Sequence, residues 1–465
     1  MKIPNLFESA VLKSQLMVSV SGFRAIIPAG LDTVAITTIA TAFANTTGPT
    51  VVIGRDSRPS GNAILNLFKS VLELRGKRVI DIGIAPTPTV KAVVAQTKSS
   101  AGVIITASHN PDQWNGIKFL GAGGFFYNES EINSLLTEID TVYKTAATSG
   151  IHRKFKLIET SQQDGIKLHI DSILKQLPNL AEIRRQKFRV VVDGVGGAGR
   201  EALPHLLNEL GCKVIALYCD SYNKFPRPPE PTPAALKEFG KLVKLQKASV
   251  GFALDPDADR LVTGSMNLGA VHEEYTLPLS FIGKQSSLKR SGNIVVNLST
   301  STLIDSIAAN HKVFRSKVGE ANVVALMKSK NAIFGGEGNG GVIDPTIPSY
   351  GRDSLSGAAW ILSGMANRQI RSVDDLLTQL PPLFMVKQKL ELKAGLKPMF
   401  AKFEKRAKSL TNFKLDKTER IDGLYFRFSN SAWVHLRASN TEPILRLIAQ
   451  AATKKELNEL IKEFK

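Results

Sequence analysis

The sequence predicts an α/β protein of several domains with a smaller α+β unit at the C-terminal end. Three segments each read as a buried strand, a loop of small residues and a helix, and they begin at Val51, Arg189 and Ile294. This order of elements is typical of a mainly parallel sheet covered by helices. Because the segments lie roughly a hundred residues apart, we predict three related α/β units rather than one extended sheet. After residue 385 the pattern changes to alternating strands and a lysine-rich helix, which predicts the α+β unit.

The length and composition agree with a folded chain of several domains. Its 465 residues exceed what one core usually supports, and 43% hydrophobic with 22% charged residues is ordinary for a globular protein. No stretch approaches the ~18 uninterrupted apolar residues of a membrane span. Asn5, Glu8 and Ser9 interrupt the first apolar stretch, which argues against a secretory signal. We therefore expect a cytoplasmic protein without a membrane partner, and Cys212 and Cys219, which lack metal-ligand spacing, fit free thiols there.

The net charge of +19, from 60 basic and 41 acidic residues, has two interpretations. A strongly basic protein can bind nucleic acid. The lysines, however, are spread through predicted helices and turns, without an arginine-rich tail or a basic stripe interleaved with aromatic residues. A solvated basic surface is the favoured interpretation, and such a surface also attracts small phosphorylated substrates. We therefore expect no nucleic-acid partner.

The first candidate site is a polar loop at the end of a predicted buried strand. An apolar run ends at Ile105, and T-A-S-H-N-P at 106–111 follows it. Open α/β sheets place their chemistry at such strand ends. Ser108 is therefore a candidate nucleophile or phosphoryl carrier, with His109 and Lys118 close in sequence. The alternative for this motif alone is an ordinary polar turn.

The second candidate site is an acidic loop that reads L-D-P-D-A-D-R at 254–260. Asp255, Asp257 and Asp259 stand at alternate positions and repel one another unless a cation lies between them. Their oxygens suit a hard divalent ion, above all Mg²⁺, and the distal glutamate of an EF-type calcium loop is absent. Arg260 is placed to hold a phosphate beside the metal. The alternative is an acidic turn exposed to water.

Two further loops have the composition of a sugar site and a phosphate site. G-G-E-G-N-G-G at 335–341 lets a ligand approach the backbone, and Glu337 with Asn339 can bond sugar hydroxyls. R-A-S-N-T-E-P-I-L-R at 437–446 supplies guanidinium, hydroxyl and amide groups that suit phosphate oxygens. Taken alone, each loop is as consistent with an ordinary turn as with a binding site.

Two weaker signals remain. G-V-G-G-A-G at 194–199 follows a strand like a dinucleotide-binding loop, but its spacing differs and no acidic residue closes a second strand at the right distance. Arg24, just after the Ser21-Gly22 turn, is either a phosphate-binding arginine or a surface charge.

The four motifs, in their order and spacing, resemble the α-D-phosphohexomutase superfamily over essentially the whole chain. They are T-A-S-H-N-P at 106–111, D-P-D-A-D-R at 255–260, G-E-G-N-G at 336–340 and R-A-S-N-T-E-P at 437–443. Each motif is moderately specific, and the ordered set is highly specific. The resemblance implies three α/β domains with mixed sheets and a smaller C-terminal α+β domain around a central cleft. Together with E-E-Y-T at 273–276, the sequences of these motifs are most similar to those of phosphoglucosamine mutases.

The resemblance also implies one functional loop in each domain. We predict that the phosphoserine, metal, sugar and phosphate loops belong, in that order, to domains I at 1–150, II at 151–257, III at 258–368 and IV at 369–465.

The resemblance and the residue types together give each candidate residue a role. The catalytic residues would be Ser108 as the phosphoserine with Lys118, Arg24, His109 and Arg260. The metal ligands would be Asp255, Asp257 and Asp259, joined by Ser108 through its phosphate. The substrate would be bound by Glu337, Asn339, Arg437, Ser439, Asn440, Thr441 and Arg446. Two departures are that Ala25 replaces the glycine that commonly follows the arginine, and that the sugar loop lacks the Ser-Gly-His of many members.

The activity that the resemblance implies is the interconversion of hexose 6-phosphate and hexose 1-phosphate by an isomerase that transfers a phosphoryl group. Phospho-Ser108 would form a 1,6-bisphosphate, with Mg²⁺ and the hexose 1,6-bisphosphate as cofactors, and Lys118 or a neighbour would handle the proton. The partner is a small phosphosugar, and the chain is expected as a monomer or homodimer. Phosphoglucosamine is the favoured substrate, with a phosphoglucomutase or phosphomannomutase as the alternative. A serine phosphatase and a basic nucleic-acid-binding protein are weaker alternatives.

Overall fold

The computed structural model describes residues 16–146, 161–391, 395–438 and 444–464. Internal contacts divide the chain into two compact units. The first contains the described residues up to Arg290 together with Gly340–Leu377, and the second contains Ser291–Asn339 with the described residues from Thr378 onward. None of the helices in the described ranges is long and apolar enough to span a membrane.

The first unit begins with a seven-stranded mixed sheet in the order β1-β2-β6-β5-β3-β4-β7. Strands β3, β4, β5 and β7 are parallel, whereas β1, β2 and β6 run antiparallel to their neighbours. The strands are β1 Leu16–Ser19, β2 Gly22–Ile26, β3 Thr50–Arg55, β4 Arg78–Ile84, β5 Ala101–Ile105, β6 Trp114–Leu120 and β7 Ser161–Gln162. The helices are α1 Thr33–Thr46, α2 Gly61–Leu74, α3 Thr87–Gln96 and α4 Glu129–Ala146, with a 3₁₀ turn at Ala122–Gly124.

Helices cover both faces of this sheet because its central strands are apolar on both faces. Val103 and Ile105 pack into one core cluster with Phe43 and Phe68, whereas Ile104 packs into a second cluster. Successive side chains of a strand point to opposite faces, so a continuous apolar run is buried from both sides. This arrangement brings the end of β5, and with it the Ser108 loop, to the edge of the sheet where the parallel strands end.

A second mixed sheet of five strands, in the order β12-β11-β10-β8-β9, belongs to the same unit. Strands β8, β9 and β10 are parallel, and the antiparallel hairpin of β10 and β11 encloses the acidic loop. The strands are β8 Arg189–Asp193, β9 Lys213–Leu217, β10 Val250–Leu254, β11 Leu261–Ser265 and β12 Gly269–Ala270. The helices are α5 Gly165–Leu174, α6 Leu180–Gln186, α7 Gly199–Glu209, α8 Lys237–Leu245 and α9 Thr276–Gln285, with a 3₁₀ turn at Glu273–Tyr275.

The chain then enters the second unit, where three parallel strands lie in the order β14-β13-β15. These elements are β13 Asn293–Asn297, α10 Leu303–Ile307, β14 Lys312–Ser316, α11 Glu320–Ser329 and β15 Ala332–Glu337. It returns to the first unit with β16 Gly341–Ile343, α12 Ser354–Asn367 and α13 Val373–Leu377. Helix α12 is buried along almost its whole length and packs closely on α9, where Gly283 lies against the Trp360 backbone and leaves no room for a side chain.

The second unit ends in an antiparallel sheet of five strands in the order β17-β21-β20-β19-β18. The elements are β17 Phe384–Glu391, α14 Leu396–Ser409, β18 Leu415–Glu419, β19 Leu424–Phe428, β20 Trp433–Ala438, β21 Ile444–Ala451 and α15 Lys454–Glu463. Apolar residues of the sheet, including Phe426 and Leu436, share a core with Phe403 and Leu460 from the helices. The predicted fold class, three α/β units with mixed sheets followed by a smaller α+β unit, is confirmed.

A buried polar chain joins three helices of the first unit. His169 Nδ1 lies 3.0 Å from Thr89 Oγ1, and His169 Nε2 lies 3.0 Å from Asp353 Oδ2. Asp353 also caps α12 by accepting bonds from the amides of Leu355 and Ser356. Burial alone would raise the pKa of Asp353, but His169 and the capping bonds outweigh it and lower this pKa. The carboxylate therefore stabilises the fold above its unfolded-state pKa and loses that contribution as pH falls through the lower native value.

Candidate active site

The Ser108 loop follows β5 and holds its serine in a left-handed backbone conformation, with φ 54°. Ser108 is 1% exposed, and its amide donates to Thr106 Oγ1 at 2.9 Å. Its hydroxyl oxygen lies 3.4 Å from His109 Nδ1. A non-glycine residue in this conformation is uncommon and recurs at functional turns. The loop therefore directs the serine hydroxyl toward His109.

His109 links the serine loop to the acidic loop. Its Nδ1 atom lies 3.1 Å from Arg260 Nη2. A guanidinium can only donate, so Nδ1 is the acceptor and the proton of the neutral ring lies on Nε2. Burial, and then the positive charges of Arg260 and Arg24, hold the pKa of His109 well below its ordinary value. His109 is therefore a neutral imidazole with an acceptor nitrogen beside Ser108.

The acidic loop places three buried carboxylates together. Asp255, Asp257 and Asp259 are each at most 1% exposed, and one oxygen from each lies within 4.8 Å of the others. Burial and the neighbouring carboxylates raise the pKa of Asp255 well above its ordinary value. Three carboxylates in this arrangement need a compensating positive charge. This group of side chains can therefore hold a metal ion.

Each carboxylate has one oxygen held by the protein. Asp255 Oδ1 accepts from the amides of Asp259 and Arg260, both at 3.1 Å. Asp257 Oδ2 accepts from Lys118 Nζ at 2.7 Å and from Thr87 Oγ1 at 2.8 Å. Asp259 Oδ2 accepts from Arg352 Nη2 at 2.5 Å. These bonds fix the orientation of all three side chains.

The other oxygen of each carboxylate has no hydrogen-bond partner among the described residues. These atoms are Asp255 Oδ2, Asp257 Oδ1 and Asp259 Oδ1, and all three are buried. Buried polar atoms are rarely left unsatisfied, so such a set points to a missing ligand. Three carboxylate oxygens are the donors that a hard divalent cation prefers. The residues present therefore fit Mg²⁺.

The predicted basic residues surround this loop. Burial would raise the pKa of Asp257, but its ion pair with Lys118 and the bond from Thr87 lower it below the ordinary value. Arg260 Nε lies 3.9 Å from Asp255 Oδ2 and 3.8 Å from Asp259 Oδ1, and it makes no hydrogen bond within the described chain. It is therefore a buried donor next to the open carboxylate oxygens.

Arg24 reaches the serine loop from β2. Its Nη1 atom donates to Asn110 Oδ1 at 3.2 Å, and β2 pairs with β6, which carries Lys118. Burial lowers the pKa of Arg24, whereas the charge of Asp257 opposes this change. The structure thus groups all five predicted catalytic residues and the three aspartates in the first unit.

The glycine-rich loop at 194–199 packs against the backbone of the acidic loop. The Ala198 amide donates to Pro256 O at 2.7 Å. A Cβ atom at Gly197 would lie 2.6 Å from the same carbonyl oxygen, so only glycine fits there. Gly197 is therefore explained by contact with the protein's own backbone, and no dinucleotide is needed to account for it.

Glu337 and Asn339 of the predicted sugar loop lie in the second unit. Glu337 Oε1 accepts from Asn297 Nδ2 at 2.8 Å and from the Gly319 amide at 2.9 Å. The Gly338 amide donates to Thr300 Oγ1 at 3.0 Å. Asn339 is half-buried, and its Oδ1 atom has no hydrogen-bond partner in the described residues. The loop is thus anchored through Glu337, and Asn339 retains an acceptor for a ligand.

The predicted phosphate loop is described at its two ends. Arg437 on β20 and Arg446 on β21 are directly opposite each other, and Lys389 on β17 is opposite Arg446. Burial, and then the nearby Arg446, lowers the pKa of Arg437. Like charges opposite each other destabilise a sheet, and an anion placed between them offsets that cost. The remaining predicted residues, Ser439, Asn440 and Thr441, lie outside the described residues.

Sequence reasoning missed several residues that position the site. Thr87 contacts Asp257 across 170 positions and Arg352 contacts Asp259 across 93. The only local signal was the A-P-T-P-T loop at 85–89, which ends a strand. Arg352 lies in the segment between β16 and α12 and carried no local signal, because its contact with Asp259 depends on how that segment packs. Lys389 likewise became apparent only from the pairing of β17 with β21.

Four family models match the chain in succession. They describe the α/β/α domains I, II and III and the C-terminal domain of phosphoglucomutase/phosphomannomutase, and they match residues 16–146, 167–265, 277–384 and 385–465. A phosphoglucomutase/phosphomannomutase of Thermococcus kodakarensis is 35% identical over 89% of this chain and 88% of its own length. A phosphoglucosamine/phosphogalactosamine mutase of Sulfurisphaera tokodaii is 32% identical over 89% of this chain and 90% of its own.

The fold is also similar to a solved structure. A phosphoglucomutase/phosphomannomutase family protein of Burkholderia thailandensis superposes with a TM-score of 0.79 at 24% identity, over 96% of this chain and 97% of that one. The site and the fold define a phosphohexomutase, an isomerase class that transfers phosphoryl groups. The chain belongs to the phosphoglucomutase/phosphomannomutase family of the α-D-phosphohexomutase superfamily. The resemblance and the enzyme class predicted from the sequence are confirmed.

Proposed function

We propose that this chain interconverts hexose 6-phosphate and hexose 1-phosphate through phospho-Ser108 and a hexose 1,6-bisphosphate, with glucosamine phosphate as the preferred substrate. The observation that carries the proposal is the set of three buried aspartate oxygens that have no hydrogen-bond partner among the described residues. Arg260 and His109 link these carboxylates to Ser108. Membership of the phosphohexomutases supports the same reaction.

In the proposed first step, the bond between phosphorus and Ser108 Oγ breaks as a bond to the free sugar hydroxyl oxygen forms. Asp255, Asp257 and Asp259 would hold Mg²⁺, which when bound neutralises charge on the transferring phosphoryl oxygens. Arg260 Nε points among these carboxylates and is available to a phosphoryl oxygen. Arg24 adds a second guanidinium beside Asn110. The neutral His109 is placed to take the hydroxyl proton, and Lys118, whose ammonium group donates to Asp257, adds positive charge beside it.

In the second step, the bisphosphate presents its other phosphate to Ser108. The bond from that phosphorus to the sugar oxygen breaks, the bond to Ser108 Oγ forms again, and the proton returns to the sugar oxygen. The phosphate that does not react must stay bound throughout. We assign this task to Arg437 and Arg446 with Ser439, Asn440 and Thr441, and we assign the sugar contacts to Glu337 and Asn339.

The phosphate assignment predicts a change in KM. Arg437→Lys keeps the positive charge but loses the planar fork that binds two phosphate oxygens at once. We expect KM for the hexose phosphate to rise about tenfold, which corresponds to ~1.4 kcal/mol of binding, measured by steady-state kinetics. Arg427→Lys is the matched control, since Arg427 lies on the adjacent strand and pairs with Asp416 at 2.8 Å. Equal KM values for wild type and Arg437→Lys would contradict the assignment.

The choice of hexose is tested by parallel assays. Glucosamine, glucose and mannose 1- and 6-phosphates should be compared as kcat/KM under one set of conditions with Mg²⁺ and a catalytic amount of hexose 1,6-bisphosphate. We expect the highest value with glucosamine phosphate, in keeping with the Sulfurisphaera relative. A higher value with glucose or mannose phosphate favours the phosphoglucomutase or phosphomannomutase alternative. Conversion of none of them would refute the proposed reaction.

A further inference from the structure

The segment G-R-D-S-R-P-S-G at 54–61 contains a buried arginine that the proposed mechanism does not use. Arg58 is 1% exposed, and all three nitrogens of its guanidinium donate hydrogen bonds. Nε donates to Asp56 Oδ2 at 3.0 Å. The other two nitrogens donate to four backbone carbonyls of the serine loop and the turn after it, namely Ser108 O and Asn110 O at 2.6 Å, Pro111 O at 2.7 Å and Trp114 O at 3.0 Å. Each of its five N–H groups therefore has one acceptor.

Asp56 extends this contact to the other side of the serine. Its Oδ2 atom accepts from Thr106 Oγ1 at 2.5 Å, and Thr106 Oγ1 in turn accepts from the Ser108 amide at 2.9 Å. The Ser108 carbonyl is held by Arg58 directly, and the Ser108 amide is held by Asp56 through Thr106. The buried ion pair of Arg58 and Asp56 therefore fixes both the amide and the carbonyl of Ser108, the residue with φ 54°.

The same arginine is covered from the second sheet domain of the unit. The Phe225 ring lies 5.0 Å from Arg58 Cζ, and the Phe225 amide donates to Asp112 Oδ1 at 3.1 Å. This cover keeps water from the guanidinium, so its bonds to the four carbonyls act in a medium of low dielectric constant. A rigid support of this kind matters because phosphoryl transfer depends mainly on positioning.

We propose that Arg58, braced by Asp56, is a positioning residue that holds Ser108 in the left-handed conformation required for phosphoryl transfer. It touches no substrate and acts only through the backbone of the serine loop. The inference rests on the proposed function, since it concerns the same serine. A support that acts on the reacting group alone affects kcat and leaves the binding of the hexose phosphate unchanged.

The test is Arg58→Lys, which keeps the charge but has three donors where Arg58 uses five. We expect kcat to fall about a hundredfold, with KM within about twofold of wild type. The rate at which hexose 1,6-bisphosphate phosphorylates Ser108, followed by intact mass, should fall by a similar factor. Lys284→Arg is the matched control, because Lys284 is a buried cation that pairs with Asp344 at 2.9 Å and also donates to Thr346 Oγ1. It should keep wild-type kcat even where its melting temperature falls.

A second variant keeps the inference testable if Arg58→Lys does not fold. Thr106→Val removes the acceptor of the Ser108 amide while keeping the side-chain shape, and it should also lower kcat at constant KM. Wild-type kcat in folded Arg58→Lys or, where that protein does not fold, in Thr106→Val would overturn the inference. The inference would also be overturned if kcat fell as far in Lys284→Arg as in Arg58→Lys. Arg58 would then contribute only to the stability of the fold. A wild type without phosphoserine and without activity on any hexose phosphate would instead refute the proposed function.

Discussion

Replacing Ser108 with alanine is expected to reduce mutase activity about a thousandfold or more, equivalent to at least ~4 kcal/mol of transition-state stabilisation. The proposed cycle begins with a phosphate bound covalently to Ser108 Oγ, and alanine has no oxygen atom that can carry this phosphate. The fold should survive, because Ser108 Oγ makes one long contact with His109 and alanine tolerates φ 54° as well as serine does. Steady-state assays and intact mass measure both effects.

Two comparisons make this result specific. Wild type should contain a fraction heavier by one HPO₃ group, and this fraction should be absent from Ser108→Ala. Hexose 1,6-bisphosphate should restore activity to dephosphorylated wild type but not to the variant. Ser99→Ala is the matched control, because Ser99 is also buried and its hydroxyl bonds to Thr97, two positions away. A folded Ser108→Ala protein with undiminished activity would rule out Ser108 as the phosphoryl carrier.

The parts of the site that residue spacing alone predicted are those built within one short segment. Asp255, Asp257 and Asp259 share a single hairpin loop, and Ser108 and His109 are neighbours at the end of one strand. In such segments the residue spacing already determines that the side chains lie close together. The fold class was predictable for a related reason, because strand, loop and helix repeat in a fixed order along the chain.

The parts that sequence reasoning missed depend on contacts between distant segments. Asp257 is oriented by Thr87 across 170 positions, Asp259 by Arg352 across 93, and Ser108 by Arg58 across 50. None of these pairings follows from a local period or motif, since each is set by the packing of separate helices and strands. The carboxylates themselves were therefore predictable, whereas the choice of which oxygen stays open to a cation was not.

The loop at 194–199 illustrates a different limit. A glycine-rich turn signals that some backbone or ligand approaches closely, and it does not say which. Here the approaching group is the Pro256 carbonyl of the acidic loop, 2.6 Å from where a Gly197 Cβ would lie. The weak dinucleotide interpretation and the observed contact have the same signature in sequence. Only the position of the β10–β11 hairpin distinguishes them.

Asp257→Asn is expected to lower kcat about a hundredfold or more and to raise the Mg²⁺ concentration needed for half-maximal activity. Asp257 Oδ2 accepts from Lys118 and Thr87, so the oxygen of asparagine should occupy that position. Its NH₂ group then replaces Oδ1, one of the three oxygens that have no partner in the part of the chain that the structure describes. An NH₂ group donates hydrogen bonds and cannot ligate Mg²⁺. The lost charge stabilisation amounts to several kcal/mol, which corresponds to a rate change of this size.

The control for Asp257→Asn must remove the negative charge that faces a buried lysine without changing the metal site. Asp344→Asn does so, because Asp344 accepts from Lys284 at 2.9 Å and from Trp360 Nε1 at 2.8 Å. Leaving a buried lysine without a negatively charged partner should destabilise both variants, so a fall in melting temperature is expected in each. Only Asp257→Asn should change the Mg²⁺ titration of activity, measured after EDTA treatment and metal replacement. An unchanged titration in folded Asp257→Asn, or full wild-type activity in EDTA, would mean that the three aspartates balance the arginines around them rather than hold a metal.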